Sequence, residues 1–157
     1  MPSHEPFSAE RTSEIASDLA TLEGPLLPIL HAVQHAFGHV PEAAVPVIAG
    51  VLNLSRAEVH GVVTFYHDFR RAPAGRHVVK LCRAEACQSM GGDALAAHAE
   101  RCLRVKLGGT RGDGRVTLEP VYCLGLCATA PSAMVDGRLV ARLDAAAIER
   151  IAAEVDG

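Results

Sequence analysis

Arg76-His77-Val78-Val79-Lys80-Leu81-Cys82-Arg83-Ala84-Glu85-Ala86-Cys87 is the stretch that decides the fold. Residues 76–81, with Val78, Val79 and Leu81 among them, read as a buried strand, and that strand ends at Cys82. Cys87 follows in the spacing Cys82-x4-Cys87. A second pair, Cys123-Leu124-Gly125-Leu126-Cys127, comes after a 35-residue connection and ends another strand-like run, residues 115–121. Each pair has its own loop, so folding must bring two loops together. Four thiolates are the usual complement of a [2Fe–2S] cluster. Structural zinc sites favour C-x2-C knuckles, which neither pair has. The plant-type run C-x4-C-x2-C with a distant fourth cysteine is also absent. By this chemistry an iron–sulfur cluster comes first, with zinc or two disulfides as the alternatives.

Working outward, Ser89 or Gly91 opens a helix with Leu95, Ala99, Cys102 and Leu103 on one face. Residues 106–114 read as a glycine-rich, charged loop without hydrophobic period. Residues 133–135 and 139–143 flank Asp136-Gly137, a strong hairpin signal. Asp144 caps a final helix reaching about residue 155. The order β-α-β, cysteine loop, β-β-α fits a small thioredoxin-like α/β domain over residues 74–157. Backbone N–H groups after the first strand can hydrogen-bond to sulfur and stabilise negative charge. Gly125 permits a positive φ, and Leu124 and Leu126 would shield a cluster from water. The fifth cysteine, Cys102, lies on the apolar helix stripe and reads as core packing. Lys80, Arg83 and Arg101 read as solvated surface charges.

Pro73-Ala74-Gly75 is a breaker and marks the boundary with a helical half, residues 1–73, whose first residues are expected to be flexible. A first helix is expected over residues 9–21. Pro25 opens a second, where its missing N–H costs little, and Gly38 ends it. A third covers residues 41–52, with a kink or late start forced by Pro46. Ser55-Arg56-Ala57-Glu58 is a capping box starting a fourth through Val59, Val62, Val63 and Tyr66. The fold class is therefore α+β: an N-terminal helical bundle followed by a thioredoxin-like domain holding a [2Fe–2S] cluster. His31, His35 and His39 recur every four residues, but Ala32 stands where a zinc protease needs glutamate. They read as structural or surface residues. His60 and His67, seven apart on the fourth helix, could face the bundle interior or a partner.

Of 157 residues 49% are hydrophobic but only 4% aromatic, giving a thin core to which a cofactor or partner surface could add stability. The net charge of -3 gives no electrostatic reason to expect nucleic acid. The polar start lacks the basic and apolar regions of a signal peptide, and no apolar run approaches the roughly 18 residues of a membrane span. A cytoplasmic setting is expected, where thiols stay reduced and metal-bound thiolates are favoured over disulfides. There is no phosphate loop and no G-x-G-x-x-G. No carboxylate pair or nucleophile–base arrangement stands out, so no catalytic residue is assigned.

The paired cysteines, with Val62-Val63-Thr64-Phe65-Tyr66-His67-Asp68-Phe69 and Cys123-Leu124-Gly125-Leu126-Cys127-Ala128-Thr129-Ala130-Pro131, resemble the 24-kDa subunit of respiratory NADH dehydrogenase. That family includes the small thioredoxin-like [2Fe–2S] subunits of NAD-linked hydrogenases and formate dehydrogenases. The resemblance runs from about Leu26 onward. Within it, Leu81-Cys82-Arg83-Ala84-Glu85-Ala86-Cys87-Gln88-Ser89-Met90-Gly91 is most similar to the gamma subunit of molybdenum-containing, NAD-dependent formate dehydrogenase. The resemblance implies an electron-transfer subunit with Cys82, Cys87, Cys123 and Cys127 on the cluster. FMN and NAD would lie on one partner subunit and the molybdenum cofactor on another. The equivalent subunit of NADH dehydrogenase or an NAD-reducing hydrogenase is the alternative. A DNA-binding redox sensor using residues 55–69 as a helix-turn-helix is a distant one, disfavoured by the acidic balance.

Overall fold

The computed structural model describes residues 4–157. The expected flexible start falls partly on residues 1–3, outside the described residues. Beyond them the chain is tied down: the Glu5 N–H donates to the Ala36 carbonyl at 2.9 Å, and the Phe7 ring meets Phe37 edge-on at 5.7 Å. The chain divides into two compact units, Met1–Pro73 and Ala74–Gly157.

The first unit is a bundle of α1 (Ala9–Leu19), α2 (Leu26–Phe37), α3 (Ala44–Leu52) and α4 (Arg56–Phe65). Local chemistry sets most of its boundaries. Ser8 caps α1 by accepting from the Arg11 N–H, and Gly38 ends α2 with φ 76°. Pro46 is the third residue of α3, a late start that puts its missing N–H in the first turn, where an N–H has no partner within the helix. The Ser55–Glu58 capping box is complete in both directions. Ile29, Leu30, Val33, Ile48 and Val59 are fully buried between the helices. The aromatic run splits: Phe69 is 6% exposed and joins this core, whereas Phe65 is 73% exposed and Tyr66 43%. The histidines follow suit. His31 leans on the Phe69 ring at 4.9 Å, and His60 and His67 are exposed.

The second unit runs β1 (His77–Cys82), α5 (Glu85–Ser89), α6 (Gly92–Leu103), β2 (Gly109–Thr110), β3 (Val116–Val121), β4 (Ala133–Val135), β5 (Arg138–Val140) and α7 (Ala145–Asp156). Its five strands are ordered β2-β3-β1-β4-β5. β1 is parallel to β3 and antiparallel to β4. Val79 and Leu81 of β1, Val116 and Leu118 of β3, and Ala133 and Val135 of β4 form one core with Ala99 and Leu103 of α6 and Ile148, Ile151 and Val155 of α7. The α+β class expected from the sequence is what the chain adopts.

Four details correct the sequence reading. The short helix α5 fills residues assigned to loop. Strand β2 rises from the supposedly structureless 106–114 segment, pairing antiparallel with β3. β5 is displaced toward its turn: it begins at Arg138, directly after Asp136-Gly137, and ends at Val140. The hairpin itself takes positive φ at both turn residues, 49° and 86°, as an Asp-Gly turn does. Finally, Arg111 in the glycine-rich segment is a buried cation. It donates to Asp113 at 2.9 Å and Asp156 at 2.6 Å, and so anchors the end of α7.

Candidate metal centre

Parallel pairing brings the two cysteine loops together. The register places Cys82 opposite Val121, so β1 and β3 end at the same edge of the sheet, and Cys123 comes two residues after that rung. The ladder continues one step past the strands, with the Arg83 N–H donating to the Val121 carbonyl at 2.7 Å. α5 then carries Cys87 as its third residue. This loop is closely held. The Gln88 amide donates to the Arg83 carbonyl at 2.8 Å. The Arg83 guanidinium donates to the Gly92 carbonyl at 2.9 Å and pairs with Asp93 at the start of α6. Its side chain is only 18% exposed, so Arg83 is a latch within the cysteine turn rather than the solvated charge expected. Gly92 lies so close beneath Cys87 that a Cβ there would stand 2.6 Å from the Cys87 carbonyl oxygen.

The second loop is open and shaped by its backbone. Cys123 has φ 94° and Gly125 φ 77°. The first is a conformation that side chains rarely adopt and that persists where surroundings enforce it. The Gly125 N–H points at the Cys123 sulfur at 3.3 Å. A 3-10 turn, Cys127–Thr129, brings Cys127 back until the two sulfurs are 3.6 Å apart. Arg142 and Leu143 N–H groups hold the following chain through the Thr129 and Pro131 carbonyls, both at 2.8 Å. Leu124 and Leu126 are half-buried, and Tyr122 is 70% exposed.

The four thiols stand as two pairs. Cys82 and Cys87 are buried, and Cys123 and Cys127 are exposed. Burial acts to raise the Cys82 pKa. N–H groups of Ala84, Cys123 and Leu124, with the Cys87 thiol, favour the thiolate by more, and the net direction is downward. Cys127 moves the other way: its hydrogen bond with Cys123 and the charge of that neighbour, with burial and Cys87 and Cys82 adding to them, hold its proton on. The surroundings thus favour a thiolate at Cys82 and disfavour one at Cys127. This donor set fits a [2Fe–2S] cluster, which takes four thiolates and whose sulfurs are stabilised by backbone N–H groups. Among the described residues no three His, Cys, Asp or Glu side chains are grouped as ligands of a single metal ion.

Cys102 is apart from this group. It packs on the second unit's core, with its sulfur 3.4 Å from the His98 Nε2. Sequence reading missed Ser132, which is 2% exposed and lies against the first pair. Its carbonyl accepts from the Cys82 N–H at 3.1 Å, and its hydroxyl lies 3.6 Å from the Cys87 sulfur. The only signal was its place directly after the Ala128-Thr129-Ala130-Pro131 segment. No helix among the described residues is long and apolar enough to cross a membrane.

The chain is 37% identical to a subunit of the NADH-quinone oxidoreductase of Pseudomonas aeruginosa over 133 residues, 83% of this chain and 80% of that one. It is equally similar, 37% over 148 residues, to the corresponding NADH-quinone oxidoreductase subunit of Escherichia coli, covering 92% and 89%. The HndA subunit of the NADP-reducing hydrogenase of Solidesulfovibrio fructosivorans is 30% identical over 141 residues, covering 90% and 82%. Among solved structures, a chain of an air-oxidised NAD+-reducing [NiFe]-hydrogenase superposes with a TM-score of 0.70 at 26% identity. That match covers 83% of this chain, which spans only 22% of the hydrogenase chain. Residues 12–156 match the family described as thioredoxin-like [2Fe-2S] ferredoxin. With two thiol pairs delivered to one sheet edge by parallel strands, the chain belongs to this family of electron-transfer proteins, whose cofactor is a [2Fe–2S] cluster.

Proposed function

We propose that this chain is the electron-transfer subunit of a cytoplasmic, NAD-dependent, molybdenum-containing formate dehydrogenase, with its cluster held by Cys82, Cys87, Cys123 and Cys127. The observation that supports the ligand assignment is the delivery of two thiol pairs, Cys82 with Cys87 and Cys123 with Cys127, to the shared end of β1 and β3, with Cys102 elsewhere on α6. The narrower assignment to formate dehydrogenase is supported by the wording of residues 81–91 alone. When bound, the cluster supplies a one-electron carrier. The chain's own residues fix the thiols, aim N–H groups at sulfur and limit water through Leu124 and Leu126. FMN and NAD belong to one partner subunit and the molybdenum cofactor to another. Met90, 62% exposed, and Tyr122, 70% exposed, flank the two cysteine loops and offer apolar contact to the flavin-bearing partner. Phe65 and Tyr66 offer a further exposed contact on the helical unit.

The relatives support a second reading within the same chemistry, the equivalent subunit of an NADH dehydrogenase or NAD-reducing hydrogenase. Purifying the native complex separates the two. Molybdenum in the complex and formate-dependent NAD reduction are expected, while a molybdenum-free complex oxidising NADH or hydrogen would sink the first reading. The cluster-loaded chain alone should neither bind NADH nor reduce a dye with formate. Serine at Cys82, Cys87, Cys123 or Cys127 should abolish native iron content and the reduced-state paramagnetic signal. Cys102→Ser should leave both unchanged.

A further inference from the structure

Ser132 is a buried polar residue that the electron-transfer reading leaves without a task. Its hydroxyl faces the Cys87 sulfur at 3.6 Å, in a place where both residues are 2% exposed. Its main chain is fixed at the same time, since its carbonyl takes the Cys82 N–H at 3.1 Å. Ser132 is thus bonded to both cysteines of the first loop, through the backbone of one and the sulfur of the other. The neighbouring Pro131 carbonyl is held in turn by the Leu143 N–H at 2.8 Å, so this segment is not free to swing away.

With two free thiols either atom could donate in the Cys87–Ser132 contact. Once Cys87 is a metal-bound thiolate it has no proton, and the serine O–H is the sole possible donor. An O–H group aimed at a ligand sulfur withdraws electron density from it, and more strongly as the centre gains negative charge. Hydrogen bonds to sulfur are among the features that set iron–sulfur reduction potentials, and groups behind the ligands tune metal sites generally. We infer that Ser132 is a positioning residue that raises the reduction potential of the cluster by donating its hydroxyl proton to the Cys87 sulfur. This rests on the assignment of Cys87 as a ligand. It extends that assignment to a residue that touches no metal.

The test uses the full chain loaded with its cluster, and its readout is the midpoint potential followed by the paramagnetic signal of the reduced state. Ser132→Ala removes the donor at nearly constant volume. A shift to more negative potential is expected, with a roughly tenfold lower ratio of reduced to oxidised protein at the native midpoint, about 59 mV for one electron. Iron content should stay native. Ser132→Thr restores the hydroxyl and should restore most of the potential. If the alanine variant fails to assemble, Ser132→Thr and Ser132→Val, alike in shape, carry the same comparison. Equal potentials for native and alanine proteins, or for the threonine and valine pair, overturn the inference. Native iron content in Cys87→Ser is a separate result, which would remove the ligand assignment instead.

Discussion

The first cysteine loop leaves a strand and enters a helix, and its two sulfurs are buried. The second is an open turn whose two cysteines are exposed and whose shape comes from positive φ angles at Cys123 and Gly125. Both supply two thiols to one place, yet the forces holding them differ. In the first loop side chains and close packing do the holding: Arg83 bridges to Gly92 and Asp93, Gln88 reaches back to Arg83, and Ser132 seals the inner face. In the second the backbone does it, with few side-chain ties. A buried loop should therefore respond to changes in volume and hydrogen bonding, and an open one chiefly to changes in backbone freedom.

Glycine substitutions test this most severely. In Gly92→Ala the new Cβ would meet the Cys87 carbonyl oxygen at 2.6 Å, so main chain must move. Overpacking of this kind costs about 1–3 kcal/mol, and the displaced atoms belong to a proposed ligand. Melting of the apo chain should fall by roughly 2–4 °C per kcal/mol, and cluster loading should drop by more than half. Gly125→Ala, whose Cβ would meet nothing within 4 Å but whose φ is 77°, should cost about 1 kcal/mol and keep most of its iron. Equal iron loss in the two variants would break the contrast.

Removing the latch comes next. Arg83→Met keeps the packed stem but loses the donors to Gly92 and Asp93. With Asp93 largely exposed, the loss should be about 1 kcal/mol. Iron should leave faster in the presence of a chelator, while Arg101→Met, a change at an exposed arginine, should match the native rate. An unchanged release rate for Arg83→Met would mean that the buried loop is held by packing alone.

The smallest effect lies away from both loops and serves as their control. Hydrogen bonds from Arg111 and from the Arg115 N–H hold the Asp113 carboxyl down from 3.8 to about 2. A folded-state pKa below the unfolded one gives stability that is present above the unfolded value and lost as pH falls through the folded one. Native melting temperature should therefore decline between about pH 4 and pH 2. Arg111→Met should flatten that decline while leaving iron content at neutral pH unchanged. An acid profile identical in both proteins would remove this network as its source.

Much of this fold was readable because local chemistry and tertiary need agree. Ser55–Glu58, Gly38, Asp136-Gly137 and Asp144 mark their boundaries by capping and turn geometry, which act over three or four residues. The cysteine pairs announced themselves by spacing. What stayed hidden depends on partners far along the chain. β2 is a strand only because β3 lies beside it, and α5 is too short to show a helical period. Arg111 is buried by Asp156, which lies 45 positions away. Ser132 could not be picked out for the same reason: its importance is its position against Cys87, and serine is common in loops. Arg83 was misread as solvated because nothing in its own neighbourhood shows that Gly92 and Asp93 turn back to meet it.

The margins of the sheet bear on what happens before this chain meets its partners. One outer strand, β2, is two residues long, and the other, β5, is three and begins with Arg138, whose guanidinium reaches Glu154 at 2.8 Å. Another molecule attempting to add a strand at either side would find few open N–H and C=O groups and, at one of them, a fixed charge. A freshly made copy waiting for iron or for its complex therefore has little template for fibrillar stacking. The storage life of the unassembled chain should then be limited by oxidation of its exposed thiols rather than by edge-to-edge aggregation.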